Sequence, residues 1–260
     1  MSYIKVYPNI DADAQAFLTA AAITDPTISS SIDKLVVDLK SAGVWSKMKA
    51  IYPFVGGTAS THKFNLKDPR DLDAAFRLQF NGGWTHSANG ALPNGTNGYA
   101  DTKLNDSSLT PNSSHISYYS RTNINTAAYD MGVYNGTKGI WFALRNLNLF
   151  TGGIFQTGAS VEVSVSNLDS KGFYLGCKNG STTINLYKNG ASVAINTKAD
   201  TTATNTSVYL ASLNQNGSPA FGFSTKQCAF SSIGDGLSDT EAANLYTAIQ
   251  NFQTTLNRQV

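Results

Sequence analysis

Apolar positions follow two different periods along this chain, and the change of period divides it. After Asp11, the Ala-rich run ADAQAFLTAAAI predicts a helix that ends before Asp25-Pro26. In SSSIDKLVVDLKSAG, Ile32, Leu35, Val36 and Leu39 recur at the i, i+3, i+4, i+7 spacing of one helical face. Ser30 and Asp33 suggest a capping-box-like start for that helix, and Gly43 suggests its stop. Trp45, Met48, Ile51 and Phe54 continue as an apolar segment expected to dock on whatever follows.

Near Ser60 the period changes to two. FRLQF places Phe76, Leu78 and Phe80 on one strand face, and VEVSV places Val161, Val163 and Val165 inward. HISYYS, YDMGVY, IWFAL, FYLGC, TINLY, VYLASL and FGFS are further short strands. In KNGSTTINLYKNGASVAINT, Asn-Gly pairs flank TTINLYK and predict a meander, because type I′ turns need positive φ at both central residues. Tyr118 and Tyr119 are adjacent in one strand, so they must point to opposite faces, one to the core and one to the surface. With Arg121, Tyr129 and Tyr134 they form an aromatic region that suits an interface. At the far end, Ser238 and Glu241 form a capping box, and Leu245, Ile249, Phe252 and Leu256 form the apolar stripe of a helix over 237–257.

Roughly ten to thirteen strands between helical ends predict a mainly β chain, an antiparallel two-sheet jelly-roll sandwich. A helical N-terminal segment over 1–57 would pack on the sandwich or on a partner, and 58–260 would form the sandwich with its closing helix. Leu35, Leu39, Trp45, Leu245, Ile249 and Phe252 are the candidate assembly residues, since amphipathic helices flanking a sandwich offer apolar faces.

Composition narrows the function classes. Charged residues make up only 14% of the 260, and Asn, Thr, Ser and Gly take their place on the surface. The formal charge of +2 and the lack of a Lys/Arg run give no footprint for nucleic acid. No apolar run approaches the ~18 residues of a membrane span. The opening MSYIKVYPNIDADAQ has no apolar core or cleavage site, so no signal peptide is expected. Without secretion the seven N-x-Ser/Thr triplets are by-products of an Asn-rich surface. Cys177 and Cys228 are expected as free buried thiols.

The search for chemistry finds no enzyme. Only two glutamates exist: Glu162 alternates with valines on the polar face of its strand, and Glu241 caps a helix. His62, His86 and His115 are isolated from one another, and no metalloprotease, nucleophile-elbow, P-loop or dinucleotide signature occurs. Asp68 and Asp71 in KDPRDLD, with Asp101, are calcium candidates, weakened by the neighbouring Lys67 and Arg70. The stretch NGGWTHSANGALPNGTNGYADT (81–102) carries four Asn-Gly pairs. They lie too close together for each to join full strands, so a long folded surface loop is expected, with short bridges near Trp84 and Tyr99. Its first reading is packing: Trp84 and Tyr99 pin the loop to the sandwich or meet a neighbouring subunit. Its second is a sugar platform of Trp84, His86 and Tyr99 with the amides of Asn89, Asn94 and Asn97.

YPFVGG (52–57), GYADTKLN and the closing IGDGLSDTEAANLYTAIQ, within a frame that spans most of the chain, resemble structural proteins of tailed bacteriophages that carry a concanavalin A-like (laminin G-like) jelly roll. The resemblance implies a two-sheet sandwich and a non-enzymatic virion part in a fibre, tail or capsid-associated position. It also implies other virion proteins as partners, and a homo-oligomer. A glycan-binding adhesin acting through 81–102 is the alternative, and a divergent glycan hydrolase or lyase is third.

Overall fold

The computed structural model describes residues 10–156, 162–197, 199, 201–219 and 222–260. Val161, expected inward, and Phe221 of FGFS lie outside these residues, as do positions 1–9 of the segment read for a signal peptide. The helices are α1 (Ala12–Ala20), α2 (Pro26–Ser41), the single turn α3 (Ala59–His62) and α4 (Asp239–Thr255). The early strands are β1 (Met48–Tyr52), β2 (Gln79–Asn81), β3 (Trp84–Ser87), β4 (Gly90–Pro93), β5 (Tyr99–Asn105) and β6 (Ser113–Ser120). Then come β7 (Met131–Tyr134), β8 (Gly139–Asn146), β9 (Leu149–Ile154), β10 (Val163–Ser166), β11 (Gly172–Asn179) and β12 (Thr183–Lys188). The last are β13 (Ala191–Thr197), β14 (Ser207–Leu210), β15 (Asn214–Gln215), β16 (Ser218–Pro219) and β17 (Cys228–Gly234).

Two sheets form the sandwich. Sheet 1 runs β13-β12-β11-β6-β17-β4-β3, with β1 also paired to β17. Sheet 2 runs β10-β9-β8-β7-β14-β5-β2, with β15 and β16 attached at β7. All pairings between named strands are antiparallel except the β15–β7 contact. The expected meander is present as β11-β12-β13, and Asn189 and Gly190 both take positive φ (51° and 77°), as a type I′ turn requires.

The chain has three layers, not two. Tyr118, Tyr174, Ile116, Phe142, Ile184 and Leu186 belong to the core between the sheets. A second core lies on the outer face of sheet 1, where Tyr119, Phe173, Leu175 and Phe230 meet Phe17, Leu35, Leu39, Leu245, Ile249 and Phe252 of the helices. This corrects two expectations. Tyr118 and Tyr119 do point to opposite faces, yet both are fully buried because helices cover the second face. The candidate assembly residues Leu35, Leu39, Leu245, Ile249 and Phe252 are buried in the chain's own core, so they are not a free docking stripe. Each such side chain contributes about 1.5–3 kcal/mol by leaving water. Trp45 is half-buried beneath the Lys67 ammonium, 4.0 Å from its ring centre.

Local chemistry explains the helix limits. α2 begins at Pro26, not near Ser30: Asp25 accepts a hydrogen bond from the Ile28 N–H (2.9 Å) and Pro26 opens the helix. An Asp cap followed by Pro is a stronger start than Ser30 with Asp33. Ser238 and Glu241 do form the capping box of α4, and Lys47 reaches Glu241 at 2.6 Å. The segment before residue 57 packs its helices on sheet 1 and adds β1 to that sheet, paired Met48–Tyr52 against Ser231–Gly234. Phe76 departs from the expected strand: it closes a helical turn at φ 60°, and only Gln79–Asn81 pair.

Candidate functional site

The 81–102 stretch is a hairpin and a knotted turn, not a long loop. β3 pairs with β4 from Trp84–Pro93 to Ser87–Gly90. Gly90 crosses so near β17 that a Cβ there would lie 2.1 Å from the Cys228 carbonyl oxygen. After β4 the Asn94 carboxamide oxygen accepts from the N–H groups of Thr96, Asn97 and Gly98 at 3.0–3.1 Å. Asn94 also donates to Asn97 Oδ1 (2.9 Å), which accepts from the Gly83 N–H (3.0 Å). Asn94 and Asn97 therefore hold the turn together, while Asn89 stands exposed at the hairpin tip.

The two aromatic rings of this stretch have different partners. The Trp84 indole N–H donates to the Asn81 carbonyl (3.0 Å), and its ring packs on the sandwich core beside Phe80 and His86. Tyr99 alternates with buried Ala100, so it faces outward from sheet 2, where it packs tilted against Tyr209 with ring centroids 4.7 Å apart. Both rings are half-buried, and they form no common platform.

His86 instead meets His62, a pairing without a signal in sequence. Their Nδ1 atoms are 2.9 Å apart, and His62 Nε2 is buried with no partner among the described residues. Burial lowers the His62 pKa to about 3, with His86 and then Arg258 adding repulsion; burial also lowers His86. His115 is buried too, with Nδ1 on the Asp235 carbonyl (2.6 Å) and a pKa lowered to about 4 by burial.

The calcium candidates do not converge. Asp68 pairs with Arg70 (2.5 Å), Asp71 with Lys63 and Arg77, and Asp101, on β5, with Lys103 (2.9 Å). Among the described residues no three His, Cys, Asp or Glu side chains stand where they could share a metal ion. Cys177 and Cys228 are free and buried, with their thiol pKa values pushed upward by burial. No described helix is long and apolar enough to cross a membrane.

An open groove of about 310 Å³ lies where the helical layer stops, between β12 and the start of α4. Thr183, Asn185 and Tyr187 occupy alternate positions of β12, so all three face the helical side of sheet 1. Asn179 and Ser181 extend the rim, and Asp239 stands opposite on the first turn of α4. The Tyr187 hydroxyl donates to Asp239 Oδ1 (2.5 Å), with Asn185 Nδ2 more distant at 3.4 Å. Burial and the Asp239 carboxylate hold that hydroxyl well above its ordinary pKa, so it stays a donor. Ser192 on β13 donates to Asn185 Oδ1 (2.7 Å), which fixes the amide so that Nδ2 faces Asp239. Opposite Asn185, Ile195 is 62% exposed. Sequence reasoning saw these residues only as a meander, since nothing local shows where a distant helix will end. The alternation Thr183-x-Asn185-x-Tyr187 was the available signal.

No known family matches the chain, and none of the curated proteins matches it. Solved structures do resemble it. Domain 4 of AbnA, a GH43 extracellular arabinanase from Geobacillus stearothermophilus, in complex with arabinotriose, aligns over 76% of this chain and 98% of its own. It does so at 14% identity and a TM-score of 0.50. The botulinum neurotoxin serotype D binding domain aligns over 78% of this chain and 52% of its own, at 10% identity and a TM-score of 0.50. The NanB sialidase from Streptococcus pneumoniae aligns over 54% at 16% identity and a TM-score of 0.42, and the match spans about a quarter (25%) of that chain. At such identities the likeness shows the fold alone, a mainly β sandwich of two antiparallel sheets.

Proposed function

We propose that this chain is a non-catalytic, lectin-like sandwich that binds glycans in the groove between β12 and α4. The carrying observation is the set of short hydrogen-bonding side chains, Thr183, Asn185 and Asp239, converging on one open groove with apolar Ile195 beside it. Hydroxyl, amide and carboxylate groups match sugar hydroxyls, and an exposed aliphatic side chain suits the C–H face of a ring. The arabinotriose complex of AbnA domain 4, a sandwich of similar fold, supports the same reading. Catalysis is less well supported. Glycoside hydrolysis uses two carboxyl groups ~5–9.5 Å apart, and each of four grooves on the described residues carries a single carboxylate: Asp71, Asp38, Asp239 or Asp25.

A glycan array followed by calorimetry tests this reading with the wild type, Asn185→Ala and Trp84→Ala. Asn185→Ala is expected to weaken binding about tenfold, the effect of one hydrogen bond worth about 1.4 kcal/mol. Trp84→Ala, if its melting temperature shows it folded, should bind as the wild type does. The opposite pattern would return the site to the 81–102 hairpin, and no binding to any glycan would remove the reading. The setting in a tailed-phage particle is a further proposal that rests on YPFVGG, GYADTKLN and IGDGLSDTEAANLYTAIQ alone. Mass spectrometry of purified particles decides it, because a chain missing from them is not a virion part.

A further inference from the structure

We infer, resting on the glycan reading above, that the groove selects uncharged sugars and grips them by a pair of neighbouring hydroxyls. Asp239 Oδ1 is occupied by Tyr187 and approached by Asn185. Asp239 lines the groove, and its Oδ2 takes no hydrogen bond from the described residues, so it remains available as an acceptor. Asn185 is held by Ser192 through its oxygen, so its Nδ2 has a proton left to donate. The site therefore offers one strong acceptor and one donor side by side. Two adjacent sugar hydroxyls fit that pair: one donates to Asp239 Oδ2, and the other accepts from Asn185 Nδ2.

The same carboxylate sets the charge preference. Among the lining residues Asp239 is the single charged group, and no Lys or Arg lines the groove. Cations on the adjoining elements are already engaged: Lys47 with Glu241 (2.6 Å) and the Gly236 carbonyl (3.2 Å), Lys49 with Asp235 (3.5 Å), Lys178 with the Phe155 carbonyl (3.2 Å) and Lys188 with Asn167 Oδ1 (2.8 Å). A sialic acid or uronic acid carboxylate entering here would meet Asp239 with no lining cation to offset it, and like charges brought together oppose binding. The volume, about 310 Å³, is at the small end of ligand clefts, which suits the terminal unit of a glycan.

The experiment uses the full chain on an array carrying neutral, sialylated and uronate-bearing glycans, then calorimetry with neutral hits, arabinotriose and sialyllactose. Wild type, Asp239→Asn and Asn185→Ala are compared, each checked for an unchanged melting temperature. The expected result is at least a tenfold preference for neutral glycans. Asp239→Asn should weaken neutral binding by about tenfold or more, as loss of a charge-assisted hydrogen bond does, and should narrow the preference. Tighter binding of sialylated or uronate glycans by the wild type overturns the inference while leaving glycan binding intact. So does neutral binding that survives unchanged in both folded variants, since the site is then elsewhere. Absence of binding to any glycan overturns the inference and the glycan reading together.

Discussion

Two buried histidines should make this protein acid-sensitive well above the range in which its carboxylates titrate. His62 is 1% exposed, with the Phe54 ring edge-on to it at a centroid distance of 5.4 Å and Nε2 without a partner among the described residues. The cheaper neutral form has His62 Nδ1–H donating to His86 Nδ1, leaving a lone pair unpartnered at Nε2 and no buried N–H. A second proton would put an orphan N–H and a charge into that pocket. His115 is already satisfied as a neutral ring: Nδ1–H donates to the Asp235 carbonyl, and Nε2 accepts from Ser232 at 3.2 Å. Folded pKa values of about 3 and about 4 lie below the ordinary 6.5, so the unfolded chain takes up protons first. Stability is then full above about pH 6.5 and falls as pH drops toward the folded values, by about 1.4 kcal/mol per pH unit for each group. At pH 5 that amounts to about 2 kcal/mol each and about 4 kcal/mol together, or roughly a 10 °C fall in melting temperature for a chain of this size. Carboxylates with lowered values, Asp11, Asp68, Asp71 and Glu241, lose stability in the same sense, but only as pH falls through their ordinary 3.8 (4.5 for Glu241). The window from pH 7.5 to 5 thus isolates the histidines. Urea titrations at the two pH values should show the difference, and His62→Phe and His115→Gln should each remove about half of it. A wild type that loses less than about 1 kcal/mol, or a double variant that keeps the full slope, would refute the argument.

Two further predictions concern buried charge. Arg258 is 1% exposed and donates to the carbonyls of Pro53 (2.7 Å), Phe54 (2.8 Å), Ala229 (3.0 Å) and Ala88 (3.2 Å), with burial lowering its pKa to about 9. Arg258→Met should cost about 3–5 kcal/mol in urea unfolding because it strands those oxygens, and a loss below about 1 kcal/mol would contradict it. Asp130, fully buried, accepts from Ser224 (2.5 Å) and the Leu144 N–H (2.7 Å), and the buried Lys226 ammonium lies 3.3 Å away with no other partner among the described residues. Asp130→Ala should therefore cost about 3–5 kcal/mol, more than Lys226→Met, and the double variant should cost less than the sum. Equal single costs would show that the stranded ammonium is not what matters.

Parts of this fold were legible because they are amphipathic in themselves. The face of α2, the capped α4 and the β11-β12-β13 meander each announce themselves within a short window. β17 did not, although it is central to sheet 1. Its CAFSSIG carries two adjacent serines, and their burial depends on distant partners: Ser231 donates to the Ser117 carbonyl and Ser232 meets the Ser117 hydroxyl (2.7 Å). β9 was hidden in a similar way, because Gly152 leaves room for Phe142 across the strands and so lacks a side chain to show its face. In the 81–102 stretch the Asn-Gly pairs correctly marked tight turns, but the chain spaced them more closely than full strands allow and used very short strands between them. The amides that looked like sugar contacts are the ones the turn consumes.

The position of the groove follows from the third layer. An antiparallel sheet in a two-layer sandwich keeps one face in water, and β6, β11 and β17 instead present Tyr119, Phe173, Leu175 and Phe230 outward. Such a face requires a cover, and α1, α2 and α4 supply it. The cover ends before the sheet does: Tyr246 of α4 stacks over Phe173 and closes on Gly190, where a Cβ would lie 2.9 Å from its ring, while β13 stays largely exposed. Tyr187 stands on that boundary, its ring in the helical core and its hydroxyl on Asp239 of the groove lining. The contact that finishes the apolar layer is therefore the one that orients the candidate carboxylate. Binding strength and docking of α4 should be coupled through this residue, which gives a physical reason for a rigid polar site beside a large apolar core.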